Sequence, residues 1–83
     1  MTPALTVFYA DGCHLCEPAK ATVHDVAARL GVAVAEVDIT GVPELEARYR
    51  TSIPVVELDG RRIAKYVVDP ADLERRLRRR LGA

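Results

Sequence analysis

Cys13 and Cys16 are the only thiols in the chain, and only His14 and Leu15 separate them. Two thiols at this spacing can exchange a disulfide with another molecule or supply half of a metal site. The surroundings favour the first. An apolar run, Leu5-Thr6-Val7-Phe8-Tyr9, leads into the pair through Ala10-Asp11-Gly12, and a helical pattern begins at or just after it. A dithiol at such a strand-to-helix junction reads as a redox site. At a helix start the unpaired N–H groups and the positive end of the dipole stabilise a thiolate at Cys13. Thiols in such places ionise below the free value of about 8.5. Cys16 lies one turn further on the same face, placed to attack a mixed disulfide formed at Cys13. A protonated His14 would favour the thiolate and make the disulfide more oxidising, whereas the Asp11 carboxylate would oppose it. Each also has a plainer reading: His14 as an exposed imidazole, Asp11 as a turn residue ahead of Gly12.

With 83 residues the chain is expected to form one domain, residues 1–83. A chain of this size buries only about 60% of its unfolded surface, so its core is small. One short Cys-x-x-Cys loop cannot staple a small fold, so chemistry explains the cysteines better than architecture. Twelve basic residues balance twelve acidic ones, which implies no general attraction to nucleic acid or to acidic lipid. The start, Met1-Thr2-Pro3-Ala4, has neither a basic nor a long apolar region, so no signal peptide is expected. No apolar run approaches the ~20 residues of a membrane span. A monomer in a reducing cytoplasm is the expectation.

The elements that must position the pair can be read in order. The first strand, Leu5 to Tyr9, is nearly continuous in apolar residues, as for a strand buried on both faces. The first helix runs to about Leu30, with Cys16, Ala19, Val23, Val26, Ala27 and Leu30 on one face and Glu17, Lys20, His24, Asp25 and Arg29 largely on the other. Gly31 is its stop, and Pro18 falls early, where a missing N–H matters least. A second strand, Val32 to Ile39, completes a right-handed parallel βαβ unit. Thr40 is the expected N-cap of a second helix with Val42, Leu45 and Tyr49 buried, and Glu44–Arg48 and Glu46–Arg50 paired on its wet side. Pro54 opens a third strand, Val55 to Leu58. Asp59-Gly60 signals a hairpin into an antiparallel fourth strand, Arg62 to Val67. Asp69-Pro70 fits the N-cap and first position of a last helix, with Leu73, Leu77 and Leu81 inward and Gly82 at its end.

This β-α-β-α-β-β-α order, with Cys-x-x-Cys at the first strand–helix junction and Ile53-Pro54 before the third strand, resembles the thioredoxin superfamily. The small size and the lack of Trp before the motif are more similar to glutaredoxins. The pattern Tyr9-x-x-x-Cys13-His14-Leu15-Cys16, Val37-Asp38-Ile39, Leu45-x-x-x-Tyr49 and Ile53-Pro54-Val55-Val56 is similar to the small bacterial glutaredoxin-like family over almost the whole chain. The resemblance implies an α/β, glutaredoxin-type three-layer sandwich around a four-stranded mixed sheet. It implies Cys13 as attacking thiolate, Cys16 as resolving thiol, and a cis bond at Ile53-Pro54 near them. It also implies that the main chain of Ile53, on a platform shaped by Pro54, pairs with an extended substrate, which tolerates many substrate sequences. Asp11, Gly12, His14 and Leu15 would tune the pair. No bound cofactor is implied. The implied partners are a disulfide-containing protein or small thiol as substrate, and a reductase or glutathione as electron donor.

Two departures from the family pattern bear on that donor. Glutaredoxins that use glutathione carry a Gly-Gly and then an Asp near the last helix, plus a Lys shortly before the motif. Here the stretch is Lys65-Tyr66-Val67-Val68-Asp69, and Asp11 precedes Gly12. Only Asp69 remains as a contact for a glutathione amine, and bulky Tyr66 and Val67 stand where close approach wants glycine. Thioredoxins also place an acid on the first strand to deprotonate the second cysteine. Leu5 to Tyr9 holds none, which leaves water, Asp11 or His14 for that role.

Competing readings remain open. Zinc takes four ligands, and besides the cysteines only His14 and the distant His24 are good donors, so no metal is expected within one chain. A non-catalytic module of the same fold, docking on a partner or holding a metal or iron–sulfur group shared across a dimer, would keep the motif without turnover. Arg75, Arg76, Arg78, Arg79 and Arg80 read as a solvated face with cations at a helix C-terminus rather than as an anion site.

Overall fold

The structure is a computed structural model and describes residues 4–82. Its elements are β1 (Ala4–Tyr9), α1 (Cys16–Leu30), β2 (Ala33–Asp38), α2 (Pro43–Tyr49), β3 (Val55–Leu58), β4 (Arg61–Lys65) and α3 (Pro70–Arg80). They form one sheet in the order β2-β1-β3-β4. β1 is parallel to β2 and antiparallel to β3, which is antiparallel to β4. The α/β class, the element order and the mixed sheet are those expected from the sequence.

Strand alternation divides the interior into two layers. Leu5 and Val7 of β1 and Val56 and Leu58 of β3 pack with Val23, Val26 and Ala27 of α1 and Leu73 and Leu77 of α3. Phe8 and Val55 point the other way, onto Tyr49 of α2 and onto Ile39, which directly follows β2. The sheet therefore lies between an α1/α3 layer and α2, a three-layer sandwich. β1 is central, which accounts for its continuous apolar sequence. β2 is an edge strand, and its residues are exposed or half-exposed.

Several boundaries follow strong local signals. Gly31 closes α1 with φ 71° and donates its N–H to the Ala27 carbonyl, in the left-handed cap that glycine enters freely. Asp59 and Gly60 both have positive φ, 50° and 85°, which the tight β3–β4 hairpin requires. Asp69 caps α3 by accepting the Ala71 N–H at 3.1 Å.

Other expectations fail for identifiable reasons. Val42, not Thr40, is the N-cap of α2, because the Thr40 hydroxyl and amide are engaged elsewhere, and Val42 at that cap is exposed. Leu81 is also exposed, since α3 ends at Arg80 and Leu81 lies beyond its last turn. β4 stops at Lys65, where the chain turns sharply at Tyr66, rather than running to Val67. Glu46 pairs with Arg50. Arg48 instead lies over the Tyr49 ring, 5.5 Å from its centre. His24 is more than solvated: its Nε2 lies 2.6 Å from a Glu36 carboxylate oxygen on β2.

Candidate functional site

Sheet topology gathers the site before any side chain is considered. Parallel pairing puts the end of β2 beside the end of β1, with Asp38 opposite Tyr9. Antiparallel pairing puts the start of β3 at that same end, with Val55 opposite Phe8, and Lys65 at the end of β4 opposite Val55. The segments Ala10–Leu15, Ile39–Val42, Ser52–Pro54 and Tyr66–Asp69 all emerge on one rim. The sequence motif and the Ile53-Pro54 step, forty residues apart in the chain, are thus brought to one place. The Ile53–Pro54 bond is cis.

Cys13 and Cys16 are joined as a disulfide, with Cα atoms 5.4 Å apart. They are not equivalent. Cys13 is half-exposed in the turn before α1, whereas Cys16 is the first residue of the helix and 1% exposed. Backbone bonds shape the turn: Cys13 N–H donates to Ala10 O, and Cys16 N–H to Cys13 O at 3.2 Å. Gly12, at φ 77°, supplies the left-handed step that lets the chain reverse from β1 into this turn. The N-cap of α1 is Leu15, which has no acceptor, so no side chain caps the helix. Its positive end is left open beside the cysteines, with Glu17 in the first turn partly offsetting it.

Of the other expected site residues, Asp11, Gly12 and His14 line one hollow with Cys13, together with Glu17 and Lys20. Asp11 and His14 are exposed, and Leu15 sits at the surface beside them. Pro54 is fully buried, and Ile53 packs half-buried against the cluster of Phe8 and Tyr49. Neither lines the Cys13 hollow. Among the described residues, neither the N–H nor the C=O of Ile53 is bonded to another main-chain group. Likewise, no group of three or more His, Cys, Asp or Glu among them is gathered as a metal site.

Two contributors escaped the sequence reading. Thr40 accepts the Asp11 N–H on its hydroxyl at 3.0 Å, while its own N–H donates to Asp38 Oδ1 at 2.9 Å. The end of β2 therefore braces the loop that carries Cys13. The Asp38-x-Thr40 spacing is a local side-chain-to-backbone motif that competes with helix capping, and this was the signal available. The hydroxyl and then the amide of Thr40 hold the Asp38 carboxyl below its ordinary value of 3.8. Because the folded value is depressed, the brace contributes stability above that ordinary value and loses it as pH falls through the folded one. In Thr40→Val the NMR titration midpoint of Asp38 is expected to rise toward 3.8. The Asp11 amide should then exchange with solvent about fivefold faster, at the scale of one lost hydrogen bond.

Lys20 is the second. Its Nζ lies 4.0 Å from the centre of the Tyr9 ring and 2.9 Å from Glu17. The hydrogen bond to Glu17 foremost holds its pKa above 10.5 against the opposing effect of burial. The cation in the Cys13 hollow is therefore fixed and paired. A lysine at helical spacing on a polar face gave no hint of this, because the ring it covers comes from β1.

The comparisons agree with this architecture. A family model described as Glutaredoxin-like domain (DUF836) matches residues 4–78. The chain is similar to a structural-genomics target protein from X. campestris at 30% identity, covering 88% of this chain and 93% of that one with a TM-score of 0.75. A protein from Nitrosomonas europaea gives the same TM-score, 0.75, at 22% identity over 92% of both chains. Chloroplastic thioredoxin z superposes at a TM-score of 0.80 with 17% identity, over 99% of this chain and 80% of its own. The last two establish likeness of fold alone. Among the described residues no helix is long and apolar enough to cross a membrane.

Proposed function

The chain belongs to the glutaredoxin-like domain family, and from that membership we propose that it is a dithiol–disulfide oxidoreductase whose reacting groups are Cys13 and Cys16. The observation that carries this reading is the difference between the two cysteines: one half-exposed at the open end of α1, the other buried as the helix's first residue.

In the reduced protein the Cys13 thiolate attacks one sulfur of a target disulfide. The target's other sulfur leaves as a thiolate and takes up a proton, and the target stays bonded to Cys13. Cys16 then gives up its proton and attacks the Cys13 sulfur. The Cys13–Cys16 disulfide closes and the second target thiol is released, so two electrons and two protons have passed to the target. A dithiol reductase, or two molecules of glutathione, returns them. The unpaired main chain of Ile53 lies on the same rim and would hold an extended target there, with Pro54 as its buried anchor. A protein disulfide or a small thiol-derived disulfide are the substrate classes, with no bound cofactor. A reducing compartment such as the cytoplasm would keep the pair recycled.

The test is equilibration of the pair with defined glutathione and thioredoxin buffers. A reduction potential near or below about −230 mV would place it among disulfide reductants. A much higher potential would make it an oxidant or sensor, and failure to close the intramolecular disulfide would leave a binding module.

A further inference from the structure

Tyr66 has a backbone that its side chain does not favour. With φ of 65° it is one of two non-glycine residues in the left-handed region among those described. The other, Asp59, sits in a hairpin turn, where a short polar side chain is at home. A bulky aromatic residue there is an outlier. The Lys65 carbonyl accepts the Val67 N–H at 2.9 Å across it, which makes Tyr66 the centre of a positive-φ γ-turn, the strained form of that turn. Such a conformation persists only where the surroundings over-determine it.

Burial does not hold it, since Tyr66 is 42% exposed. Two hydrogen bonds do. The Tyr66 N–H donates to the Pro54 carbonyl at 2.8 Å, and its phenolic hydroxyl donates to the Thr51 carbonyl at 3.0 Å. These acceptors bracket Ser52 and Ile53. On its other side the bracketed segment is tied to α2 by the Ser52 N–H, which donates to the Tyr49 carbonyl at 2.8 Å.

We infer that Tyr66 is a positioning residue that clamps the segment Thr51–Pro54, presenting the main chain of Ile53 to extended disulfide substrates. The inference rests on the function proposed above. Pairing with an extended chain needs an N–H and a C=O held at strand geometry, so a loop that wanders loses affinity for such substrates. A small disulfide that reaches Cys13 without main-chain pairing has nothing to lose. The clamp therefore acts on substrate choice rather than on sulfur chemistry. Glycine at this position would adopt the backbone more readily but would leave the Thr51 carbonyl without its partner.

The test compares wild type with Tyr66→Phe and Tyr66→Gly, using a disulfide-bonded extended peptide and the small substrate hydroxyethyl disulfide. Tyr66→Phe is expected to raise KM for the peptide about three- to tenfold, the worth of one neutral hydrogen bond, with hydroxyethyl disulfide turnover unchanged. Tyr66→Gly should lose at least as much on the peptide without melting at a lower temperature, which separates positioning from folding. The Ser52 amide should exchange with solvent faster in both variants. An unchanged peptide KM, or equal losses on both substrates, overturns the role. Unchanged Ser52 exchange overturns the clamp even in a protein that reduces no disulfide. A wild-type protein inert toward both disulfides overturns the oxidoreductase reading itself, and the substrate role of Tyr66 with it.

Discussion

Serine in place of Cys13 is expected to abolish disulfide exchange, whereas serine in place of Cys16 stops it one step later, with the target still bonded to Cys13. The two cysteines are unequally exposed. A target sulfur must approach in line with a nucleophile at the surface, and Cys13 is the half-exposed member, in an uncapped turn at the positive end of α1. A serine hydroxyl is not ionised at neutral pH and is a poor nucleophile toward sulfur, so the rate in Cys13→Ser should fall by at least about a thousandfold. Cys16 is 1% exposed and cannot be reached by a protein disulfide without opening the helix start. It can reach a sulfur already bonded to Cys13, because the two Cα atoms are only 5.4 Å apart. Removing it spares the first attack and deletes the second, so the mixed disulfide accumulates. Non-reducing gels and intact-mass measurement after mixing with a disulfide substrate check both outcomes. Wild-type turnover of protein disulfides by Cys16→Ser would sink the dithiol scheme. A trapped adduct on Cys16 in Cys13→Ser would reverse the roles.

What could be read from the sequence was what neighbours in the chain decide. Gly31, Asp59-Gly60 and Asp69-Pro70 act through their own backbones or over two or three residues, and each lies where expected. The position of the cysteines followed from an apolar run meeting a helical pattern, again a local signal. What could not be read depends on partners distant in sequence. Thr40 has the chemistry of a helix cap, but the Asp11 N–H, 29 residues away, takes its hydroxyl instead. His24 and Lys20 sit on the polar face of α1, yet β2 and β1 bring Glu36 and the Tyr9 ring to them. Leu81 keeps the spacing of Leu73 and Leu77 but follows the end of the helix, and periodicity does not report where a layer stops covering a face. At Tyr66 the sequence looked like a continuing strand. Only the γ-turn, held by carbonyls from the Thr51–Pro54 segment, shows why β4 ends there.

The layer beneath the rim packs around Phe8, Ile39, Tyr49 and Val55, and Tyr49→Ala is the substitution expected to weaken it. Tyr49 stacks on Phe8 with ring centres 4.1 Å apart and planes inclined by 14°. Its hydroxyl donates to Glu57 Oε2 at 2.8 Å, and its carbonyl receives the Ser52 N–H that ties down the segment before Ile53. Truncating a buried aromatic to alanine costs about 3–5 kcal/mol. A domain of this size has a total of about 4–12 kcal/mol to lose. A fall in melting temperature of about 15 °C or more should follow. Tyr49→Phe keeps the stack and loses only the hydroxyl, at about 1 kcal/mol. The same pair of variants exposes a pH dependence. Burial, and then the bond to Glu57, push the Tyr49 hydroxyl above its ordinary value of 10.0. The folded state thus keeps a proton that the unfolded chain gives up near that pH, so this contribution is complete below it and is lost as pH rises through the folded value. Urea unfolding at neutral pH and at steps above 10.0 should show wild type weakening in the alkaline range more than Tyr49→Phe does. Parallel curves for the two would mean that the phenol is not the group responsible. A Tyr49→Ala protein as stable as Tyr49→Phe would mean that the Phe8 stack does not support the rim.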